Sequence, residues 1–194
     1  MNILGKWKSE SQSYHFSLTG PSWGWASWRR AWDYYDIGMK LWGEPEVKTA
    51  IKHALCDMEQ FNFWRQTFDR HYNVQDKSHF GWDASWAFAR ILHSGLCVVP
   101  SVNLISYVGF REGATWKLDS ASHFVKWVTN LPLYSVSFPL QHPYGMTDDR
   151  DFTRMAYIKW WKPFEGNKLK NILVKLLRVS RLYGLAVIVV QRRQ

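Results

Sequence analysis

The sequence contains few of the patterns that mark the common chemical sites. It has two cysteines, Cys56 and Cys97, too few for the disulfide framework of a small secreted domain. Its seven histidines form no HxxxH or HExxH pair, and no CxxC or Cys/His spacing suggests zinc. It also lacks a GxSxG nucleophile turn and a glycine-rich βαβ turn. We therefore expect no metal site, no serine hydrolase and no nucleotide-binding half within these residues.

Long apolar runs are also missing. Residues 1–16 have no apolar core of the kind found in a signal peptide. The apolar run at residues 185–190 is far shorter than the roughly 20 residues that cross a bilayer. Because cysteine is scarce as well, we expect a cytoplasmic protein. A length of 194 residues fits one domain.

Positive charge and tryptophan are abundant. A net charge of +9 favours anionic partners, such as nucleic acid, an anionic membrane surface or a phosphorylated substrate. No nucleic-acid-binding module is recognisable, so nucleic acid is the least favoured of the three. The thirteen tryptophans can fill a core or stack on the faces of sugars, and composition does not choose between these uses.

Periodicity predicts a mixed α/β, helix-rich chain. The polar residues 1–20 show no regular element, and an apolar stripe predicts a helix over about 27–40. Two short helices follow Pro45, and a helix over about 83–93 leads through Gly95 into a buried strand at 96–99. Residues 117–165 read as mostly loop, with short strands or helical turns. The stripes of the first three helices are Trp25, Trp28, Trp32, Tyr35 and Met39, then Val47, Ile51 and Leu55, then Phe61, Trp64, Phe68 and Tyr72.

The C-terminal residues 166–194 differ in character from residues 1–165. Leucines and other apolar residues gather on one side of a helical wheel, and lysines and arginines take the other. This pattern predicts a cationic amphipathic helix and tail, which would bind an anionic membrane surface or pack on another polypeptide.

Asp83 is the strongest candidate for chemistry. The pattern WDxxW places its carboxylate in the first turn of a helix, between Trp82 and Trp86. A helix N-terminus favours the carboxylate anion, which could accept a proton from a hydroxyl. The alternative is that Asp83 only caps the helix.

A second cluster combines tryptophans with two arginines. In WGWASWRRAW, residues 23–32, the indoles could stack on a sugar while Arg29 and Arg30 bind phosphate oxygens. The alternative is that the rings belong to the core and the arginines to a solvated face. A third cluster, Asp148, Asp149 and Asp151, could bind a cation or form a solvated loop.

Three blocks in this order resemble a bacterial protein family. They are residues 14–42, which include WGWASWRRAW, residues 81–115, which begin with GWDASW and contain NLISYVGF, and residues 131–143, LPLYSVSFPLQHP. Together they are similar to the C-terminal half of hemolysin-like nucleotide-diphospho-sugar transferases, which are GT-A-type glycosyltransferases. The WDASW block also resembles, more distantly, the WDDW region of eukaryotic N-acetylglucosaminyltransferases, where an aspartate is the catalytic base.

The resemblance implies a helix-rich, partial GT-A fold, with residues 1–165 as the acceptor-side half. It implies that Asp83 is the catalytic base and that seven further residues bind the substrates. The family's N-terminal half, with its donor site and acidic metal motif, has no counterpart here, and Trp116 stands where the family has a histidine. A divalent metal, Mn²⁺ or Mg²⁺, is therefore implied only together with that half. The substrate-binding residues are Trp25, Arg29, Arg30, Trp82, Trp86, Asn103 and Glu112.

The implied activity is transfer of a sugar from a nucleotide-sugar to a hydroxyl of a glycan or lipid-linked acceptor, as in surface polysaccharide synthesis. The chain would be a truncated gene product, or a second chain would supply the donor half. The location would be the cytoplasm, either free or peripheral at the inner face of the membrane. The alternative is a non-catalytic remnant that binds glycans or an anionic membrane.

Overall fold

In the computed structural model, residues 1–55, 57–74, 81–109 and 123–162 are described. Helices dominate these residues, and one small sheet accompanies them, so the predicted mixed α/β, helix-rich class is confirmed at that level. The predicted cationic C-terminal helix and the boundary at residue 165 lie outside the described residues, as does Glu112. Within the described ranges, no helix is long and apolar enough to cross a membrane.

The sheet joins two antiparallel strands, β1 (Tyr14–Ser17) and β2 (Cys97–Pro100), with His15 opposite Val99. The predicted strand at 96–99 is thus confirmed to within one residue. β1 was not predicted, because its residues lie in a polar segment without a regular pattern. The sheet pairs the start of the chain with its middle and fixes the segment that follows β1.

Three helices form the first hydrophobic cluster. They are α2 (Pro45–Leu55), α3 (Met58–Asn73) and α4 (Trp82–Leu92), all close to their predicted bounds. Their apolar stripes meet around a short 3₁₀ turn at Lys40–Gly43, whose Trp42 is fully enclosed. The cluster includes Trp42, Ile51, Phe61, Trp64, Phe68, Phe88 and Ile91.

The predicted helix over 27–40 is wrong in length, because only α1 (Arg29–Trp32), a single turn, forms there. The Asp36 carboxylate accepts hydrogen bonds from the backbone N–H groups of Gly38 and Lys40, both at 2.9 Å. Such side-chain bonds compete with the helical pattern and turn the chain. Met39 then takes a left-handed conformation, with φ of 48°.

The segment predicted to be mostly loop contains two further helices. They are α5 (His123–Thr129) and α6 (Arg150–Ala156), and α6 continues as a π-helical segment, Tyr157–Trp161. These elements and the start of the chain form the second hydrophobic cluster, which includes Ile3, Val99, Val128, Phe152, Ala156 and Trp160. Trp161 packs against both clusters and so lies at the boundary between them.

Candidate functional site

The glycine of the WGW sequence separates its two tryptophans. Gly24 has a φ of +57°, and a Cβ at this position would overlap the side chain of Ile105. The left-handed backbone and the close approach both require glycine. Trp23 therefore turns into the second cluster, where its ring stacks on Tyr107 with centroids 3.9 Å apart. Trp25 turns the other way, toward α4.

Trp25 meets the tryptophans of the WDASW sequence. Its ring stacks on Trp82, with centroids 5.0 Å apart and planes at 24°, and it lies 5.7 Å from the ring of Trp86. Trp32, from α1, lies 5.0 Å from Trp86 and 5.9 Å from Trp25. We call these four residues the tryptophan patch. Two sequence blocks about fifty residues apart thus form one aromatic surface.

The tryptophan patch is open to solvent, which distinguishes it from the core. Trp25 is 37% exposed, and Trp32 and Trp82 are each 39% exposed, whereas Trp42 in the first cluster is 0% exposed. Trp28, beside the patch, is 69% exposed, and the Arg30 guanidinium lies 5.1 Å from the centre of its ring. The interpretation of the rings of residues 23–32 as core therefore fails for Trp25, Trp28 and Trp32, while the partly buried Trp23 packs against the second cluster.

A cavity of about 680 Å³ adjoins the tryptophan patch. One face of α4 forms a wall of it, with Asp83, Trp86 and Arg90 at helical spacing and His93 just after the helix. At 1.5 Å per residue, Asp83 and Arg90 lie roughly 10 Å apart along the helix axis. Trp25 contributes to the same cavity. The cavity thus has the Asp83 carboxylate at the start of α4, the Arg90 guanidinium and the His93 imidazole at its end, and the Trp86 indole between them.

Asp83 is exposed in the first turn of α4. Gly81 holds the cap position, so no side chain caps the helix, and the Asp83 carboxylate accepts a hydrogen bond from the Ala84 backbone N–H at 3.0 Å. Capping by Asp83 is therefore not observed, since its carboxylate binds the adjacent N–H group and does not hold the cap position. Asp83 also lines the cavity.

Tyr35 is a phenol close to Asp83 that the sequence did not single out. Burial raises the pKa of Tyr35, a hydrogen bond with Ser85 lowers it, and the charges of Asp36 and Asp83 raise it. The phenol is therefore protonated at neutral pH. Its ring stacks on Trp32 with centroids 4.4 Å apart and planes at 9°, and so extends the tryptophan patch toward the carboxylate.

Arg90 and His93 lie toward the other end of the cavity. The Arg90 guanidinium donates to the Leu18 carbonyl oxygen, which ties α4 to the segment after β1. The His93 ring stacks on Tyr34 with centroids 3.9 Å apart. Sequence reasoning missed Tyr34, Arg90 and His93 as cavity residues. The signal that could have found Arg90 is its spacing of seven residues from Asp83, which places it on the same side of the helix.

Other predicted binding residues lie apart from this site. Asn103 is fully buried, and its side-chain amide donates to the carbonyl oxygens of Ile105 at 2.9 Å and Pro132 at 3.2 Å. It holds two loops together and contributes to no wall of the cavity. Arg29 and Arg30 are exposed on α1, next to the tryptophan patch and outside the cavity lining. Glu112 falls outside the described residues.

No group of three or more histidine, cysteine or acidic side chains that could hold a metal ion occurs in the described ranges. The sequence cluster at residues 148–151 is used internally. Asp148 accepts hydrogen bonds from the Leu18 N–H and the Thr153 hydroxyl, and Asp149 accepts from Trp7 and Lys8. Asp148 and Asp149 therefore form neither the cation site nor the solvated loop that the sequence suggested, because both carboxylates bind other parts of the chain.

Comparison of the chain with protein-family models, curated proteins and solved structures gives no match. Function is therefore inferred from the geometry of the tryptophan patch and its cavity, and from the resemblance of the three sequence blocks.

Proposed function

We propose that this chain is the acceptor-binding half of a glycosyltransferase, and that it binds a sugar at the tryptophan patch with Asp83 as the general base. The observation that carries the proposal is the convergence of WGWASWRRAW and WDASW on one exposed aromatic surface beside the carboxylate. Both belong to the three blocks that resemble the transferase family.

Sugar recognition fits the chemistry of the surface. Exposed indole faces offer flat apolar area to the C–H faces of a pyranose, and each indole N–H can donate to a hydroxyl. The Asp83 carboxylate can accept a hydrogen bond from a sugar hydroxyl. Arg30, whose guanidinium lies over the Trp28 ring, adds a cation beside the patch, suited to the phosphates of a nucleotide-sugar.

The proposed reaction is an inverting displacement. Asp83 takes the proton of an acceptor hydroxyl as its oxygen attacks the anomeric carbon of the donor sugar. The new glycosidic C–O bond forms on the face opposite the breaking bond to phosphate, and the nucleoside diphosphate leaves with the bonding electron pair. A donor-binding half, in the same or another polypeptide, would hold the donor together with any Mn²⁺ or Mg²⁺ that neutralises its phosphates.

Binding of simple glycosides tests the acceptor site. We expect methyl glycosides and short oligosaccharides to bind saturably in isothermal calorimetry, and Trp25→Ala to weaken binding about two- to tenfold, the range for losing one aromatic contact. Trp25→Phe should restore part of the loss. Phe138→Ala removes a ring that is 77% exposed and lies outside the cavity, and it should have no effect. Absence of saturable binding across the panel would overturn the proposal.

Asp83→Asn tests the base. We expect it to leave glycoside affinity within about twofold and to lower the transfer rate by about 10²–10⁴-fold, the usual contribution of a positioned base. The rate is measured with a nucleotide-sugar, the bound glycoside and the donor-binding polypeptide. Asp33→Asn, an exposed carboxylate outside the cavity, is the matched control. Equal rates in the Asp83 and Asp33 variants would remove Asp83 from the mechanism.

A non-catalytic glycan-binding module is the second candidate, because the open patch would serve it equally well and no donor site has been recognised in the sequence. Saturable glycoside binding that is accompanied by no transfer, with every donor-binding polypeptide tested, would favour it. The membrane-binding alternative depends on residues 166–194, which lie outside the described residues.

A further inference from the structure

The inner part of the cavity is apolar, and it lies between the two hydrophobic clusters. Trp64 reaches it from the first cluster, Val99 and Trp160 reach it from the second, and Trp161 belongs to both. β2 and the residues on either side of it also line the cavity and form an apolar wall. Its residues include Leu96, Val98, Pro100, Leu104 and Ile105.

Part of this apolar wall is open to solvent. Val98 is 63% exposed and Leu104 is 41% exposed, although neighbouring Val99 is 3% exposed. The register explains the difference, because successive side chains of β2 point to opposite faces of the sheet. Val99 joins the second cluster, and Val98 faces away from it. The charged and titratable residues of the cavity named above, Asp83, Arg90 and His93, come from α4 and the residue after it.

The apolar wall is continuous with the proposed acceptor site. Trp25, Asp83 and Trp86 line the same cavity as Val98, Leu104 and Ile105. Its volume of about 680 Å³ falls within the roughly 300–1,000 Å³ typical of ligand pockets, which is more than one sugar ring requires. A ligand made only of sugars would place hydroxyls against this wall without hydrogen-bond partners, at a cost in free energy.

We propose that the acceptor is an amphipathic glycoside, with its sugar on the tryptophan patch and an alkyl or isoprenoid chain along the wall formed by Val98, Leu104 and Ile105. This inference rests on the proposed function and names the class of its substrate. The chain portion gains affinity by leaving water, and the sugar places one hydroxyl at Asp83. A polar headgroup and an apolar tail match the two halves of the one cavity.

A series of alkyl β-D-glucosides from methyl to octyl, each below its critical micelle concentration, tests the inference by calorimetry. Each buried methylene should tighten binding up to about fourfold, the equivalent of about 0.8 kcal/mol, until the wall is covered. Equal affinities for the methyl and octyl compounds would overturn the inference and leave the proposed function standing.

Two variants separate the halves of the cavity. Leu104→Asp places a charge on the apolar wall and should flatten the dependence on chain length, while Leu133→Asp should not, because Leu133 is equally accessible, at 57% exposed, and lies outside the cavity. Trp25→Ala should weaken all members of the series by the same factor. If affinity still increased with alkyl chain length and neither Leu104→Asp nor Trp25→Ala changed it, the ligand would bind elsewhere and the inference would be overturned.

Discussion

His15 is a buried imidazole in the middle of β1. It is 2% exposed, and its ring meets Phe152 edge to face with centroids 4.2 Å apart. Among the described residues, neither ring nitrogen has a hydrogen-bond partner. Burial lowers the pKa of His15 to about 4, with Asp149 acting in the opposite direction and Lys8 adding to the decrease. The side chain is therefore neutral at physiological pH.

This burial predicts a loss of stability in acid. The unfolded chain binds a proton at the ordinary pKa of 6.5, whereas the folded chain binds it only near 4. The contribution of His15 to the free energy of unfolding is therefore constant above pH 6.5. As the pH decreases from 6.5 to 4, this contribution falls by about 1.4 kcal/mol per pH unit. Urea unfolding at pH 7, 6 and 5 measures this slope.

His15→Leu is the corresponding variant, since it keeps an apolar volume of similar size and removes the ring nitrogens. We expect its stability to change less over pH 7–5 than that of the unsubstituted chain, and to be equal or higher at pH 7. His142→Leu, an exposed position, is the control. The same slope in both variants would show that another group causes it.

At the scale of single residues, sequence reasoning identified Trp25, Trp82, Trp86 and Asp83, and the structure brings these four together. Spacing and the resemblance of the blocks carried that information. Asn103 has the residue type of a binding side chain, yet its amide is consumed by Ile105 and Pro132. The burial of Asn103 depends on its contact with the distant residue Pro132, and no local sequence pattern predicts such a contact.

At the scale of elements, α6 begins at a side chain that also anchors the start of the chain. The Asp149 carboxylate caps the helix by accepting from the Phe152 N–H at 3.1 Å, and it accepts from Trp7 and Lys8, each at 2.9 Å. Burial raises the pKa of Asp149, but the hydrogen bonds from Lys8, Trp7 and Phe152 outweigh it and leave the pKa below its ordinary value. This carboxylate stabilises the fold above pH 3.8, and the contribution is lost as pH falls further.

Asp149→Ala should therefore destabilise the protein. Loss of a helix cap costs about 1 kcal/mol, and leaving the Trp7 indole N–H without its acceptor adds roughly 1–3 kcal/mol. Thermal unfolding at pH 7 measures the total. Asp151→Ala, two residues away and exposed, should change stability by less than about 0.5 kcal/mol. Equal effects of the two substitutions would contradict the anchoring role.

The elements that sequence predicted well share one property. α2, α3 and α4 have apolar stripes at helical spacing, and those stripes pack against one another. The stripe over residues 25–39 had the same spacing but failed, because its rings do not share a buried face and the Asp36 side chain redirects the backbone. Helical periodicity is reliable only when the stripe is buried on one side, and burial depends on the partners.

At the scale of the whole molecule, the chain builds two hydrophobic clusters that meet at Trp161. The mixed, helix-rich class followed from the sequence, because it depends on local patterns summed over many residues. The division into two clusters did not, since it requires β1 to pair with β2 across eighty residues and Trp23 to part from Trp25 at Gly24.

The position of the cavity between these clusters has a thermodynamic consequence. α4 belongs to the first cluster and Val99 of β2 to the second, so a ligand in contact with both walls holds together two regions that unfolding must separate. Occupancy and folding then become one linked equilibrium. A ligand present at a hundred times its dissociation constant adds about 2.7 kcal/mol to the free energy of unfolding. The acceptor would thus act as a structural component of the protein that binds it.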